Sequence, residues 1–523
     1  MSELLPNYLA GRWQTGAGAG TTLTDPVTGA ELVRVSRDGL DIATGFDFAR
    51  HTGAPALHRL SYAERATLLA RSVDVLKANR DAYYDIATAN SGTVKNDSAI
   101  DIDGAIYTLA QYAKWGQPLT GHALLDGRRV ALAKDGAFAS QHVWVPVNGL
   151  ALFINAFNFP AWGLWEKAGP ALLSGVPVVV KPATVTAWLT QRMVADVVNA
   201  GIWPAGALSV LCGNAIGLLD ALAPGDVLSF TGSHATASTI RRHPAISTGA
   251  VRANFEADSL NAALLMPDAE PGSPAFDLLT REVVREMTQK SGQKRTAIRR
   301  VLVPQAALGA TLERLSEKLA KTTVGNPRDA SVRMGALVSR AQYDNVQHGI
   351  AALGAEAEVV VDGRHTALVD ADPQVAACLG PTLFALRTPA ASAAAHVVHD
   401  REVFGPVATV LPYTDLAQAR ALIARGGGSL VASLYGDDSG SLADQALQLA
   451  QWHGRVHVVS PAVAQVQTGH GNVMPQSLHG GPGRAGGGHE LGGLRALDFY
   501  HRRAAIQAAP DVLERLDAVT LPA

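Results

Sequence analysis

The chain is predicted to be an α/β protein built on a doubly wound parallel sheet, and three observations predict it. Its 523 residues exceed what one hydrophobic core supports, so two or more domains are expected. Between Gly149 and Phe230 a short apolar run, a turn with Asn, Pro or Gly, and a helical stretch recur in succession. The runs Leu150–Ile154, Val176–Val180, Leu208–Leu211 and Val227–Phe230 lack polar alternation, as strands covered on both faces do. Ligands of such sheets sit beyond the carboxyl ends of the strands, which singles out Asn155–Pro160, Lys181–Thr184, Gly213-Asn214 and Thr231-Gly232-Ser233.

Composition narrows the classes of partner. Forty-four basic against 46 acidic residues leave a net charge of -2, which disfavours non-specific attraction to nucleic acid or an anionic membrane and favours a small-molecule ligand. The two cysteines, Cys212 and Cys378, are far apart and lack metal-like spacing, so a reducing compartment, buried inert thiols and no metal are expected. Met1–Gln14 has no apolar core of a signal peptide, and cytoplasm is the expected location. Gly136–Trp165 carries no Asp, Glu, Lys or Arg, but Pro146, Asn148, Asn155, Asn158 and Pro160 argue against a membrane span.

The remaining elements follow in order. Ser61-Tyr62-Ala63-Glu64 is a capping box, and Leu69, Val73 and Leu76 continue it at helical spacing. Phe276, Leu279, Val283 and Met287 form a second helical stripe that is expected to run into Ser291. Lys290, Lys294, Arg299 and Arg300 make that region basic and are expected to be solvated or at a subunit contact. Gly469–Gly493 is rich in Gly and His. Within it Gly481–Gly486 fits G-x-G-x-x-G, but follows no clear strand and is expected to be a flexible loop. Leu494–Ile506 is an ordinary mixed segment.

Six segments then carry a resemblance. They are Asn155-Ala156-Phe157-Asn158-Phe159-Pro160, Lys181-Pro182-Ala183-Thr184, Phe230-Thr231-Gly232-Ser233, Asn254-Phe255-Glu256-Ala257-Asp258-Ser259, Ser291-Gly292-Gln293-Lys294-Arg295-Thr296-Ala297 and Glu402-Val403-Phe404-Gly405-Pro406. In this order, and over essentially the whole chain, they resemble the aldehyde dehydrogenases. The resemblance implies a cofactor domain over 1–256 with an oligomerisation hairpin near 128–147, a catalytic α/β domain over 257–460, and a C-terminal Gly-rich and oligomerisation segment over 461–523. A homodimer or a dimer of dimers is implied as well.

It also implies roles. The Asn158 amide, with the backbone N–H of residue 295, forms the oxyanion hole. Glu256 is the general base for water. The cofactor is held by Asn155, Phe157, Lys181, Thr184, Gly213, Phe230, Thr231, Gly232, Ser233, Thr236, Ala257, Glu402 and Phe404. Thr184 stands where a glutamate commonly binds the ribose diol, and a neutral hydroxyl beside Lys181 favours NADP, with NAD the alternative. An ordinary helix cap is the other reading of Thr184. Ala237 replaces the family's usual glycine, a small departure.

Two further stretches, Glu256-Ala257-Asp258-Ser259-Leu260-Asn261 and His479–Gly493, resemble the branch that oxidises CoA-linked semialdehydes made by aerobic ring cleavage of benzoyl-CoA or phenylacetyl-CoA. Glu490 in the second is expected either near the catalytic pocket or in a solvated loop. One departure is chemically decisive: Arg295 occupies the position of the catalytic cysteine. A thiolate attacks a carbonyl with a soft lone pair, whereas a guanidinium only donates hydrogen bonds. The expected function is therefore NADP-dependent oxidation of an aldehyde, impaired or abolished at the nucleophile. The alternatives are a non-catalytic NADP- or CoA-binding homologue, and a hydratase or hydrolase using Glu256.

Overall fold

The computed structural model describes residues 2–521. All four predicted strands form, as Ala151–Ile154, Val178–Lys181, Leu208–Val210 and Val227–Thr231. The second begins two residues later than its apolar run because Pro177 has no N–H to give the ladder; its carbonyl instead accepts from Ala151. With Arg252–Glu256 they make a parallel array, extended at one edge by the antiparallel pair Asn7–Leu9 and Arg12–Gln14. The spatial order runs Arg252, Val227, Ala151, Val178, Leu208, Asn7, Arg12 by first residues. Every residue of Ala151–Ile154 and Val178–Lys181 is buried. Trp165 and Leu172 of the helix Trp162–Leu173 and Tyr112 of Lys95–Gly116 pack on one face, while Phe46 and Ile240 pack on the other.

A second seven-stranded sheet follows, built from Ala262–Leu265, Arg300–Pro304, Glu358–Val361, Thr382–Ala385, Val407–Tyr413, Ser429–Tyr435 and His453–Val459, parallel except at Glu358–Val361. The chain is thus a doubly wound α/β protein. Strands Ala123–Ala131 and Ala139–Pro146 form a hairpin in a separate four-stranded sheet. His501–Ala508 and Ala518–Thr520 return to pair with it.

Local signals translate into geometry. Ser61 and Glu64 exchange both capping-box hydrogen bonds, the Ser61 N–H donating to Glu64 at 2.7 Å. Phe276, Leu279, Val283 and Met287 are all buried, as their stripe requires. Their helix, Pro274–Thr288, stops short of Ser291 because Gln289 turns extended at ψ 127°, after which Lys290 and Ser291 adopt left-handed backbone at φ 52° and 53°. Gly481–Gly486 is not the flexible loop expected. It joins the antiparallel strands Leu478–Gly480 and His489–Leu491 and packs so closely that a Cβ on Gly486 or Gly488 would lie 2.3 or 2.5 Å from the Phe255 carbonyl oxygen. Among the described residues no helix is long and apolar enough to cross a membrane.

Candidate active site

The carboxyl ends of the first sheet, the loop after Thr288 and the glycine-rich hairpin meet around a cavity of about 270 Å³, lined among others by Asn158, Lys167, Glu256, Arg295 and His479. Asn158 ends the turn after the first core strand. Its side-chain amide makes no hydrogen bond among the described residues, so it is not the self-satisfied turn asparagine that sequence context alone allows. Glu256 ends the edge strand and is buried. Arg295 reaches the same space from the loop: its Nε lies 3.8 Å from Glu256 Oε1 and its Nη1 donates to the Ala257 carbonyl at 3.0 Å. Motif residues of three distant segments, Asn158, Glu256 and Arg295, therefore converge.

Electrostatics sets the state of Glu256. Burial opposes its ionisation, but His479 Nε2 at 3.5 Å, Arg295 and Lys167 outweigh burial and hold the carboxyl down at about 2. An acid held that low is ionised but a poor proton acceptor. No thiol reaches the cavity. The chain's two, Cys212 and Cys378, are buried elsewhere and pushed up to about 12 by burial.

Three residues at the cavity, His479, Lys167 and Glu166, were not foreseen from sequence. His479 packs edge-on to Trp162 at 5.6 Å, with Glu256 beyond it. Lys167, on the helix Trp162–Leu173, reaches Glu166 at 2.6 Å and Glu490 at 3.3 Å. Glu490 is not in a solvated loop: its other oxygen accepts from Ser229 and Asn254. Oxygens of Glu166, Glu256 and Glu490 lie within 4.8 Å of one another, a spacing that also suits a cation, and the Lys167 ammonium supplies the compensating charge there. Burial pushes Glu166 well up, while its neighbouring carboxylates push Lys167 up against burial. The adjacent Glu-Lys in an otherwise apolar helix was the available signal, since buried charges are rare unless paired.

The basic residues around Arg295 are buried and pin the loop; the solvated or subunit-contact placement expected for them is incorrect. Lys294 bonds Glu286 at 2.7 Å and Gln289 at 2.6 Å. Arg299 donates to the carbonyls of Gly292, Lys294 and Gly405. Arg300 donates to those of Leu260, Leu422 and Ile423. The Lys290 N–H is held by Asp97 at 2.8 Å. Arg299 thereby satisfies two carbonyls of the loop itself, whereas Lys294 and Arg300 find their acid and carbonyl partners outside it.

The remaining motif residues line the strand ends. Phe157 meets Phe404 edge-on at 5.7 Å. Glu402 accepts from the Ser259 N–H at 3.0 Å and pairs with Arg299 at 3.4 Å. Lys181 is buried with no acid partner among the described residues, and burial lowers it to about 8. Thr184 does not cap a helix; its hydroxyl donates to the Gly213 carbonyl at 2.8 Å. Ser233 caps His234–Arg241, accepting from Thr236. Gly232 lies against the Phe230 ring, where a Cβ would approach within 2.1 Å. Both amide atoms of Asn155 and the Thr231 hydroxyl are buried without partners among the described residues. Unpaired cation, unfilled hydrogen bonds and a capped helix start fit a phosphate-bearing nucleotide.

A buried carboxylate and a free amide share the cavity with Asn155 and Thr231, through which it adjoins the nucleotide-suited strand edge; this arrangement can polarise and orient a carbonyl compound, as in an α/β enzyme of the nucleotide-dependent type. The chain belongs to the aldehyde dehydrogenase family, whose model matches residues 13–505. It is 55% identical to the 3,4-dehydroadipyl-CoA semialdehyde dehydrogenase of Aromatoleum evansii over 91% of this chain and 93% of that one. It is 29% identical to the aminoacetaldehyde dehydrogenase of Pseudomonas aeruginosa over 85% of each. Its fold matches betaine aldehyde dehydrogenase of Staphylococcus aureus in complex with NAD+, with a TM-score of 0.84 at 22% identity, covering 96% of this chain and 94% of that one.

Proposed function

We propose that the cavity binds a CoA-linked semialdehyde, that the strand edge binds NADP, and that Arg295 stops the family's oxidation before its first covalent step. The carrying observation is the placement of Arg295: its guanidinium faces Glu256 in the cavity where a thiol would attack, and no other thiol is near. In this reading Asn158 and the Arg295 N–H hold the carbonyl oxygen, and Glu402 and Phe404 orient the cofactor, which when bound accepts a hydride. The name of the Aromatoleum relative supports the substrate class, and Thr184 beside the unpaired Lys181 supports the 2′-phosphate.

Hydration or hydrolysis by Glu256 is the weaker reading, because an acid held at about 2 takes a proton poorly from water. The test is Arg295→Cys assayed with a CoA-linked semialdehyde and NADP. Loss of a nucleophile lowers turnover by roughly 10^4 to 10^6, so the variant should gain at least about 10^4-fold in NADPH formation. A variant that binds cofactor and aldehyde but gains nothing overturns the proposal.

A further inference from the structure

We infer that Arg295 makes this site discriminate between the oxidation states of the nicotinamide ring, holding the reduced, uncharged ring in preference to the oxidised, cationic one. This rests on the reading that the strand edge holds a nicotinamide nucleotide, and concerns what Arg295 does there. The guanidinium lines the cavity beside Glu256 and also reaches the aromatic wall next to it. It lies toward Phe404, with Cζ 5.7 Å from that ring's centroid, tethered by its Nη1 to the Ala257 carbonyl. Arg299 approaches the same ring from 5.6 Å. Phe404, walled by Phe157, is the flat apolar surface on which a planar ring of the cofactor has to rest in that reading.

Two acids around this surface already have cation partners. Glu402 is paired with Arg299, and Glu256 with His479 and Arg295. Asp258, near Glu402, accepts from the His234 N–H and forms no ion pair among the described residues, but Arg295 is the extra positive group relative to a site with a thiol. Like charges a few ångströms apart in a partly buried site repel strongly. A ring carrying +1 has to displace Arg295 from Ala257 and Phe404, or sit beside it; a neutral ring meets a guanidinium that can stack on it and donate to it. Position 295 thus biases the site toward the reduced form.

The experiment titrates the intact chain with NADPH and with NADP+ by calorimetry, in the wild type, in Arg295→Met and in Arg295→Lys. The wild type is expected to bind NADPH on the order of tenfold more tightly than NADP+. Arg295→Met should bring the ratio close to one, and Arg295→Lys, which keeps the charge, should retain most of it. Equal wild-type affinities, or a preference that persists in Arg295→Met, overturns the inference. Adenosine 2′,5′-bisphosphate separates the two readings. If it binds while the oxidation states are not distinguished, only the inference fails; if neither it nor either cofactor binds any of the three proteins, the cofactor reading fails with it.

Discussion

The Glu256 carboxylate is held in its charged form by His479 at 3.5 Å, by Arg295 at 3.8 Å and by Lys167, and this has a measurable pH signature. The folded carboxyl sits at about 2, below the roughly 4.3 of an unfolded glutamate. A depressed acid contributes stability that is fully present above the unfolded value and is lost as pH falls toward the folded one. The shift corresponds to about 3 kcal/mol at most. Glu256→Gln should therefore be less stable than the parent at pH 7, with a gap that closes between about pH 4.5 and 2. Urea unfolding at several pH values checks this, and a gap independent of pH would refute the charge assignment. Asn158, Glu256 and Arg295 were legible in the sequence because each lies in a loop or strand end with a recognisable local pattern. His479 was not, because its approach to Glu256 depends on how a distant hairpin folds back.

The helix Trp162–Leu173 shows the same limit one level up. Its apolar residues announce a buried helix, but nothing local says that Lys167 meets acids from its own chain neighbour and from the hairpin. Removing one partner of a buried ion pair destabilises by about 3–5 kcal/mol, whereas replacing the pair with well-packed neutral groups is often near neutral. Lys167→Met should fall in that range, and adding Glu166→Gln to it should recover a good part of the loss, as read by urea unfolding of the single and double variants. Full additivity would mean that the two residues do not act together. The loop after Thr288 makes a second case. Gly292 has φ +68°, and a Cβ there would meet the Gly405 carbonyl oxygen at 2.2 Å, so Gly292→Ala combines strain with a backbone clash. It should destabilise by more than about 1 kcal/mol and disturb the placement of Arg295. The end of the preceding helix escaped the sequence for this reason: Lys290 and Ser291 are ordinary residues driven into left-handed backbone by tertiary bonds, Asp97 holding one and Gly335 the other.

At the scale of the whole molecule the first sheet was the most legible part, because strands buried on both faces leave continuous apolar runs. The second sheet was less so: its strands are scattered from Ala262 to Val459 among helices of varied length. The strand edge of the first sheet meets the second sheet's loops through Glu402 and Phe404, so a ligand seated there couples both halves. Binding to the folded state alone raises stability by about 2.7 kcal/mol at a hundredfold excess over Kd. In the proposed cofactor reading, NADP should raise the thermal midpoint more than NAD at equal concentration, because the unpaired Lys181 finds an anion only in the 2′-phosphate. Thr184→Glu puts a carboxylate beside Lys181 and gives up the bond to the Gly213 carbonyl. It should lower the NADP shift and raise the NAD shift. Thermal melts of both proteins with each cofactor read this, and a Thr184→Glu protein that keeps the parent's order would remove Lys181 and Thr184 from the phosphate-recognition role.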